Sequence, residues 1–157
     1  RVPCVCMEHA GPRTCVSADF VKQYIDMLAL HNMNRFHWHL TEDQGWNIEI
    51  KKYPRLTEVG AWRTRQTWKE WWNKPDKQDG QDLSYVRAYS DSKSGFGGYY
   101  TQDELKSLVK YAQAKGITIV PEIEFPGYSE EGGAAYPEVA FNHADMNVSK
   151  EETYKFM

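Results

Sequence analysis

The chain has 157 residues, enough for one core and a single domain, and 19 basic against 22 acidic side chains give a net charge of -3. Such a near balance gives no electrostatic reason to expect nucleic acid or an anionic membrane surface as a partner, so we expect a small or uncharged ligand. No stretch reaches the ~20 apolar residues of a membrane helix and no apolar leader precedes Arg1, which predicts a soluble protein whose export signal, if it has one, lies upstream.

All three cysteines fall near the start of the chain, at Cys4, Cys6 and Cys15. An odd number cannot form a closed set of disulfides, so the thiols leave the compartment undetermined. A zinc site built from these cysteines and His9 is disfavoured, because the spacing is not typical of zinc ligands.

The first predicted helix covers residues 18–31 and follows Ser17. Its apolar residues recur at helical spacing: Val21, Tyr24, Ile25 and Leu28. Asn32 is expected to end this helix, and residues 33–40 then read as a short strand, rich in large apolar and aromatic side chains. The order so far is therefore helix, then strand.

Residues 41–44 are predicted to form a loop, and the alternating segment 46–51 a short strand or hairpin arm that ends at Tyr53 and Pro54. From 60 to 98 the periodicity is lost, although several tryptophans lie in this stretch. A connection of this length without secondary structure is uncommon in a compact domain and indicates an insertion or a functional lid.

A second helix is predicted from Thr101, because Thr101 and Glu104 have the spacing of a capping box. Its expected buried stripe is Leu105, Leu108, Val109 and Ala112. Gly116 is expected to end the helix in the left-handed conformation. Residues 117–123 are near-continuously apolar and predict a buried parallel strand before the turn at Pro126 and Gly127.

Strands that alternate with helices indicate an α/β fold with a parallel sheet. Two groups of carboxylates then lie at the carboxyl ends of predicted strands: Glu42 and Asp43 in one, Glu122 and Glu124 in the other. Parallel α/β sheets and barrels place their chemistry at this end.

Three segments together resemble a known family: HNMNRFHWHLTEDQGW from His31, GGYYTQDEL from Gly97, and PEIEFPGY from Pro121. They are similar, in the same order, to blocks of the catalytic (β/α)8 barrel of family 20 glycoside hydrolases, the β-N-acetylhexosaminidases. The resemblance covers roughly residues 19–140. It implies a partial (β/α)8 TIM barrel, consisting of the first three βα elements with a long insertion.

The resemblance implies removal of terminal N-acetylglucosamine or N-acetylgalactosamine from glycans with retention. Family members use substrate assistance, in which the acetamido oxygen of the sugar attacks the anomeric carbon. An Asp orients the acetamido group and a neighbouring Glu acts as acid and base. The Asp-Glu dipeptide of this chain, Asp103-Glu104, belongs to the capping box, so no catalytic residue is assigned and the chain alone is expected to be inactive.

The resemblance carries over substrate-binding residues position by position. Asp43 corresponds to a carboxylate that hydrogen-bonds sugar hydroxyls, and Glu42 stands where most members have Asp. The alternative for both acids is an ordinary loop or helix-capping role. Glu124 and Tyr128 replace an Asp and a His of the family pattern, and a phenol cannot become a cation near neutral pH as imidazole does. Arg1 is assigned to the sugar-binding arginine of the first strand, although residues 1–17 are atypical.

His37 and His39 alternate on one predicted strand and raise the question of a metal. No third ligand has a suitable spacing in the sequence, which favours orienting hydrogen bonds over a metal site. The family needs no metal, so we expect no cofactor.

Residues 1–157 are accordingly interpreted as one truncated catalytic barrel domain, with 61–98 as an inserted loop region. The alternative is a non-catalytic carbohydrate-binding module, in which Trp46 and the tryptophans between 62 and 72 stack on sugars. An unrelated α/β protein is the least favoured. For the parent enzyme we expect a periplasmic, secreted or lysosomal-type compartment, and Asn147 begins a weak glycosylation pattern.

Overall fold

The computed structural model describes residues 8–10, 15–43, 45–63, 96–142 and 145–157. Arg1, Cys4, Cys6, most of the predicted insertion and its tryptophans after Trp62 lie outside these residues. In chain order the elements are β1 (Glu8–Ala10), α1 (Ala18–Leu30), β2 (Arg35–His39), β3 (Thr41–Glu42), β4 (Gly45–Trp46), α2 (Arg55–Glu58), β5 (Trp62–Arg63), β6 (Phe96–Gly97), α3 (Gln102–Ala114), β7 (Thr118–Glu122), α4 (Glu130–Ala135), a 3-10 helix (Pro137–Val139) and α5 (Glu151–Phe156).

The main sheet has three parallel strands in the order β1-β2-β7. Each follows the previous one after a connection that contains a helix, α1 between β1 and β2 and α3 between β2 and β7. Long connections of this kind are what parallel pairing requires. The α/β class and the parallel sheet predicted from the sequence are therefore confirmed.

One face of this sheet packs on α1 and α3 and forms the larger hydrophobic core. Phe36 and Trp38, on alternate positions of β2, are fully buried there, and their rings lie 5.3 Å apart. The helices contribute buried side chains at helical spacing: Val21, Ile25 and Leu28 from α1, and Leu108 and Ala112 from α3. The two helices are also joined by the Tyr111 hydroxyl, which donates to the Asp26 carboxylate at 2.8 Å.

Both helices begin and end as the sequence predicts. The Ser17 hydroxyl accepts from the Phe20 amide at 3.2 Å, and Asn32 follows α1 with a positive φ. At the start of α3 the capping box is complete, because Glu104 accepts from the Thr101 amide at 2.8 Å while Thr101 accepts from the Glu104 amide at 3.2 Å. Gly116 ends α3 with φ 73°, a conformation that costs glycine little.

Of the two predictions about the segment after β2, one is wrong and one holds only in part. Thr41 and Glu42 are not loop residues, since they pair as β3 with β4 in a short antiparallel hairpin. The segment 46–51, predicted to be a short strand or hairpin arm, contributes only Trp46 to that hairpin, and Ile48 forms an isolated bridge to Tyr100. The alternating pattern at 46–51 arises because Trp46 and Ile50 pack into a second hydrophobic cluster, and not because the segment is a strand.

The burial of β7 and of α3 also differs from the expectation. Val120 of β7 is 42% exposed and Val109 of α3 is 38% exposed, although both were predicted to be buried. Ile119 still contacts the core, because it lies on the sheet face that α1 and α3 cover. In the described sheet β7 lies at one end, so one of its edges pairs with no strand there.

A second cluster lies beyond the carboxyl ends of the strands. Trp46, Leu56, Val139 and Phe156 are buried together there, bringing α2, α4 and α5 around β4. The base of the predicted insertion is closed by the antiparallel pair β5-β6, which joins Trp62 to Gly97. Within the described ranges, no helix combines the length and the apolar character that crossing a membrane would require.

Candidate functional site

The candidate site lies at the carboxyl end of the sheet, where β2 and β7 finish side by side. Strand pairing places His39 directly opposite Glu122. Side chains alternate along a strand, so His37, His39 and Glu122 share the face opposite Phe36 and Trp38. Parallel sheets collect functional side chains at this end, which agrees with the position predicted for the two groups of carboxylates.

The two histidines contact two carboxylates across the strands. His37 Nε2 contacts Glu122 Oε2, and His39 Nε2 lies 3.4 Å from Glu124 Oε1. His39 is buried, whereas the other three side chains are about one third exposed, at 33%, 30% and 27%. The sequence favours orienting hydrogen bonds for these histidines but does not identify their partners, which are Glu122 and Glu124. These contacts could not be predicted from the sequence, because the histidines and glutamates are more than 80 residues apart in the chain.

The backbone around Glu124 is held by two hydroxyl groups. The Glu124 amide donates to the hydroxyl of Thr41, which is fully buried, at 2.8 Å. The Ser129 hydroxyl donates to the Glu124 carbonyl at 3.1 Å and to the Gly127 carbonyl at 2.9 Å. These contacts fix the loop after β7 against β3, so the position of Glu124 depends on residues that sequence reasoning did not assign to the site.

Asp43 lies at the start of α4. Its Oδ1 accepts from the Glu130 amide at 3.2 Å, in the first turn of that helix. A negative charge is favourable at this end of a helix, and the contact joins the segment after β2 to the segment after β7. Glu42 is half-buried and belongs to the β3-β4 hairpin. Asp43, Glu42 and Glu124 are thus on the same end of the sheet.

Glu131 is a buried carboxyl that the sequence analysis did not identify. It is 0% exposed, and neither of its carboxyl oxygens has a hydrogen-bond partner among the described residues. Burial raises the pKa of Glu131 well above its usual value, and the nearby charges of Asp43, Glu130 and Glu42 raise it further. Burial therefore keeps Glu131 protonated to a higher pH than an exposed glutamate. A run of two glutamates at a helix start is usually exposed, so the pattern carried no signal of burial.

Tyr128 stands after the Pro126-Gly127 turn with its side chain 59% exposed. Its φ of 52° is in the left-handed region, which is unusual for a residue other than glycine. Strained backbone of this kind clusters at functional sites when the surrounding structure holds it in place. The ring of Tyr128 is accessible to a ligand.

The structure describes four of the five predicted substrate-binding residues, Glu42, Asp43, Glu124 and Tyr128, and Arg1 lies outside it. These side chains offer hydrogen-bond acceptors and one phenol, a set that suits the hydroxyl groups of a sugar.

The Asp103-Glu104 dipeptide lies at the start of α3, where Glu104 completes the capping box. The hydrogen bonds to Thr101 lower the pKa of Glu104, which is the opposite of what a general acid needs near neutral pH.

Comparison with known proteins gives one consistent result. The model of a family described as glycosyl hydrolase family 20, catalytic domain, matches residues 11–156. A β-hexosaminidase of Porphyromonas gingivalis is 44% identical over 128 residues, which are 82% of this chain and 13% of that protein. A β-hexosaminidase of Vibrio furnissii is 38% identical over 149 residues, which are 95% of this chain and 21% of that protein.

Solved structures agree with the sequence matches. The crystal structure of a GH20 exo-β-N-acetylglucosaminidase from Vibrio harveyi, in complex with N-acetylglucosamine, superposes with a TM-score of 0.75 and 32% identity. The match covers 96% of this chain and 23% of that one. The chain therefore spans less than a quarter of the length of each of these three relatives.

Proposed function

The chain belongs to glycosyl hydrolase family 20, and from this premise we propose that it forms part of the sugar-binding site of a β-N-acetylhexosaminidase. The substrate is a glycan that ends in N-acetylglucosamine or N-acetylgalactosamine. Hydrolysis in the parent enzyme proceeds with retention, through attack by the acetamido oxygen of the substrate. The observation that carries the proposal is the convergence of Asp43 and Glu124 at one end of the parallel sheet, on elements joined through Thr41 and α4.

The proposed fold is a partial (β/α)8 barrel that contains its first three βα elements. Three parallel strands lie in chain order, as they do in a barrel, and the two long helices cover one face of the sheet. His37, His39 and Glu122 lie on the opposite face, which would be the interior of the barrel. Residues 61–98 are proposed to be an insertion in this single domain, and the pairing of Trp62 with Gly97 supports this because it brings the two ends of the segment together.

Asp43 and Glu124 are proposed to accept hydrogen bonds from sugar hydroxyl groups, with Glu42 as a neighbour of Asp43 and Arg1 as a further sugar-binding residue. Tyr128 is proposed to present its phenol to the sugar, since its ring is exposed and its backbone is held in a strained conformation. Hydrogen bonds to charged groups contribute about 1.5–3 kcal/mol each, so two carboxylates supply a substantial share of the affinity for one sugar ring.

Hydrolysis by this chain alone is not part of the proposal. A general acid is needed to protonate the leaving oxygen, and its loss costs about 10² to 10⁴ in rate. The Asp-Glu dipeptide that this chain contains is engaged in capping α3. We propose that the chain binds N-acetylhexosamine without releasing it from a glycoside.

Titration with N-acetylglucosamine, followed by nuclear magnetic resonance of the labelled chain, tests this proposal. We expect saturable shifts at residues 41–46 and 124–130. Asp43→Asn and Glu124→Gln should each weaken binding about tenfold to a hundredfold, because each removes a charged acceptor worth about 1.5–3 kcal/mol. Asp103→Asn is the matched control, since Asp103 is exposed on α3 and its loss should leave the affinity unchanged.

The proposal fails if the sugar causes no saturable shifts, or if the three variants bind it equally well. A hydrolysis assay with a chromogenic β-N-acetylglucosaminide then tests whether the chain also catalyses the reaction. We expect no release of the chromophore above the rate of the Asp43→Asn variant. Release at a rate typical of an enzyme would show that this chain contains its own acid and base.

A further inference from the structure

We propose that Glu131 is a positioning residue for Asp43, so that the affinity for sugar depends on whether the buried carboxyl of Glu131 carries a proton. Glu131 does not reach a bound sugar itself, because its side chain is 0% exposed. It acts through Asp43, whose charge it senses. The effect on sugar rests on the proposed function of Asp43, whereas the effect on Asp43 itself can be measured without sugar.

The first turn of α4 connects the two carboxyl groups. Asp43 Oδ1 accepts from the amide of Glu130 at 3.2 Å, and Glu131 is the next residue of the same turn. Asp43 is half-buried and belongs to the segment after β3, so this hydrogen bond holds it against α4. A charge that appears on Glu131 therefore acts directly on Asp43.

The backbone of this turn is packed too tightly to move away from such a charge. The carbonyl of Glu131 lies against Gly60, where an added Cβ would stand 3.0 Å from the carbonyl oxygen. At the next residue, Gly132, an added Cβ would collide with the terminal methyl group of Met146. The turn is thus fixed from two sides, and the half-buried carboxylate of Asp43 is the group that can be displaced.

The groups that act on Glu131 leave a charge there without compensation. Neither of its carboxyl oxygens has a hydrogen-bond partner among the described residues. Burial raises the pKa of Glu131, and the acidic neighbours Asp43, Glu130 and Glu42 raise it further. The helices α2 and 3-10 also pack on α4, but their charged side chains are exposed: Arg55, Glu58 and Glu138. The proton on Glu131 is therefore what keeps this cluster from gaining another negative charge.

Raising the pH should weaken sugar binding through this pair. Below its raised pKa, Glu131 keeps its proton and Asp43 remains at the Glu130 amide. As the pH rises through that value, Glu131 ionises and the like charges of Glu131 and Asp43 repel each other. Asp43 then moves away from α4, and the sugar loses an acceptor. By linkage, a bound sugar that holds Asp43 in place should shift the ionisation of Glu131 to higher pH.

Nuclear magnetic resonance of the carboxyl carbons, recorded from pH 4 to pH 10 without sugar, tests the pair directly. We expect Glu131 to titrate above the usual range of glutamate, and the Asp43 carboxyl and the Glu130 amide to show a step at the same pH. Glu131→Gln keeps the shape of the side chain and stays neutral, so this step should disappear. Glu138→Gln is the matched control, because Glu138 is exposed, and it should leave the step unchanged.

Repeating the N-acetylglucosamine titration on both sides of this step measures the effect on binding. The affinity of the unmodified chain should fall about tenfold across the step, the change that corresponds to one pKa unit of coupling between two groups. Glu131→Gln should bind as tightly as the unmodified chain on the acid side of the step, and it should keep that affinity on the alkaline side.

The inference is overturned if Asp43 shows no step at the pH where Glu131 titrates, if the step persists in Glu131→Gln, or if the unmodified chain binds the sugar equally well on both sides of the step. Circular dichroism establishes that each variant folds, and the titration of the unmodified chain needs no variant. Absence of sugar binding at every pH would refute the proposed function, and the titration without sugar would then decide the role of Glu131 by itself.

Discussion

The two faces of strand β2 differ sharply although they belong to the same five residues. Phe36 and Trp38 point to the face covered by α1 and α3 and are buried in the larger core. His37 and His39 point to the opposite face, where they contact Glu122 and Glu124 of the neighbouring strand and its loop. We call these the packed face and the polar face.

The difference shows that one face of a strand can stabilise the fold while the other face presents side chains for ligand binding. On the packed face, dispersion and the removal of apolar surface from water supply the stabilisation, and any loss of volume is costly. On the polar face, the partly exposed polar side chains contribute little to stability, because water competes for their interactions. The polar face is therefore free to carry ligands, and the packed face holds its backbone in register.

Replacing Trp38 by alanine should have the largest effect, because it breaks the packed face at its centre. Trp38 is 1% exposed and its ring lies 4.8 Å from that of Tyr100. We expect the free energy of unfolding in urea to fall by about 3–5 kcal/mol, or the chain to fail to fold. Met27→Ala, on the outer side of α1 where Met27 is 59% exposed, is the control and should change stability by less than about 0.5 kcal/mol.

Glu131 differs from the other carboxyl groups on the site side of the molecule, because it is fully buried. Its raised pKa means that the folded state keeps a proton that the unfolded state releases. Stability should therefore be greatest below the usual pKa of glutamate and should fall as the pH rises towards the raised value. We expect Glu131→Leu to stabilise the protein by about 1–3 kcal/mol at pH 8 and by less at pH 4.

Thermal unfolding of both forms between pH 4 and pH 8 measures this effect. Glu138→Leu is a suitable control, because Glu138 is exposed in the 3-10 helix. If the Glu131→Leu variant showed the same pH dependence as the unmodified chain, the raised pKa of Glu131 would be wrong.

Thr41→Val tests whether the side chains of the polar face depend on the buried hydroxyl of Thr41. The substitution keeps the shape of the side chain but leaves the Glu124 amide without its acceptor, which should cost about 1–3 kcal/mol of stability. It should also weaken sugar binding, because Glu124 loses its anchor. Thr41→Ser retains the hydroxyl and should restore binding. Equal affinities of the valine and serine variants would contradict this role for Thr41.

The smallest effect is expected at the capping box, on the packed side of the molecule but far from its centre. Thr101→Ala should reduce the free energy of unfolding by about 1 kcal/mol, with sugar binding unchanged. The pKa of Glu104 is lowered by its bonds to Thr101, so the contribution of this pair is present above the usual pKa of glutamate and is lost as the pH falls through the lowered value. The loss caused by Thr101→Ala should accordingly shrink in acid, as measured by urea unfolding at several pH values.

The helices, the parallel sheet and the family could all be predicted from patterns in the sequence. The helix starts at Ser17 and Thr101 and the stop at Gly116 are local effects of side-chain capping and backbone freedom, so a few neighbouring residues define them. The alternation of strands and helices also predicted that Asp43 and Glu124 follow neighbouring parallel strands, but not the hairpin at Thr41 or the contacts that hold Glu124.

Which side chains come into contact depends on the tertiary fold and could not be predicted from the sequence. Local pattern could not show that Val120 is exposed while Glu131 is buried, because burial depends on which elements cover a residue and not on its own type. Local sequence patterns also could not predict that His39 lies beside Glu122 and Glu124, because the register between β2 and β7 pairs residues more than 80 positions apart. The hairpin formed by Thr41 and Trp46 likewise depends on the second hydrophobic cluster, whose members come from the far end of the chain.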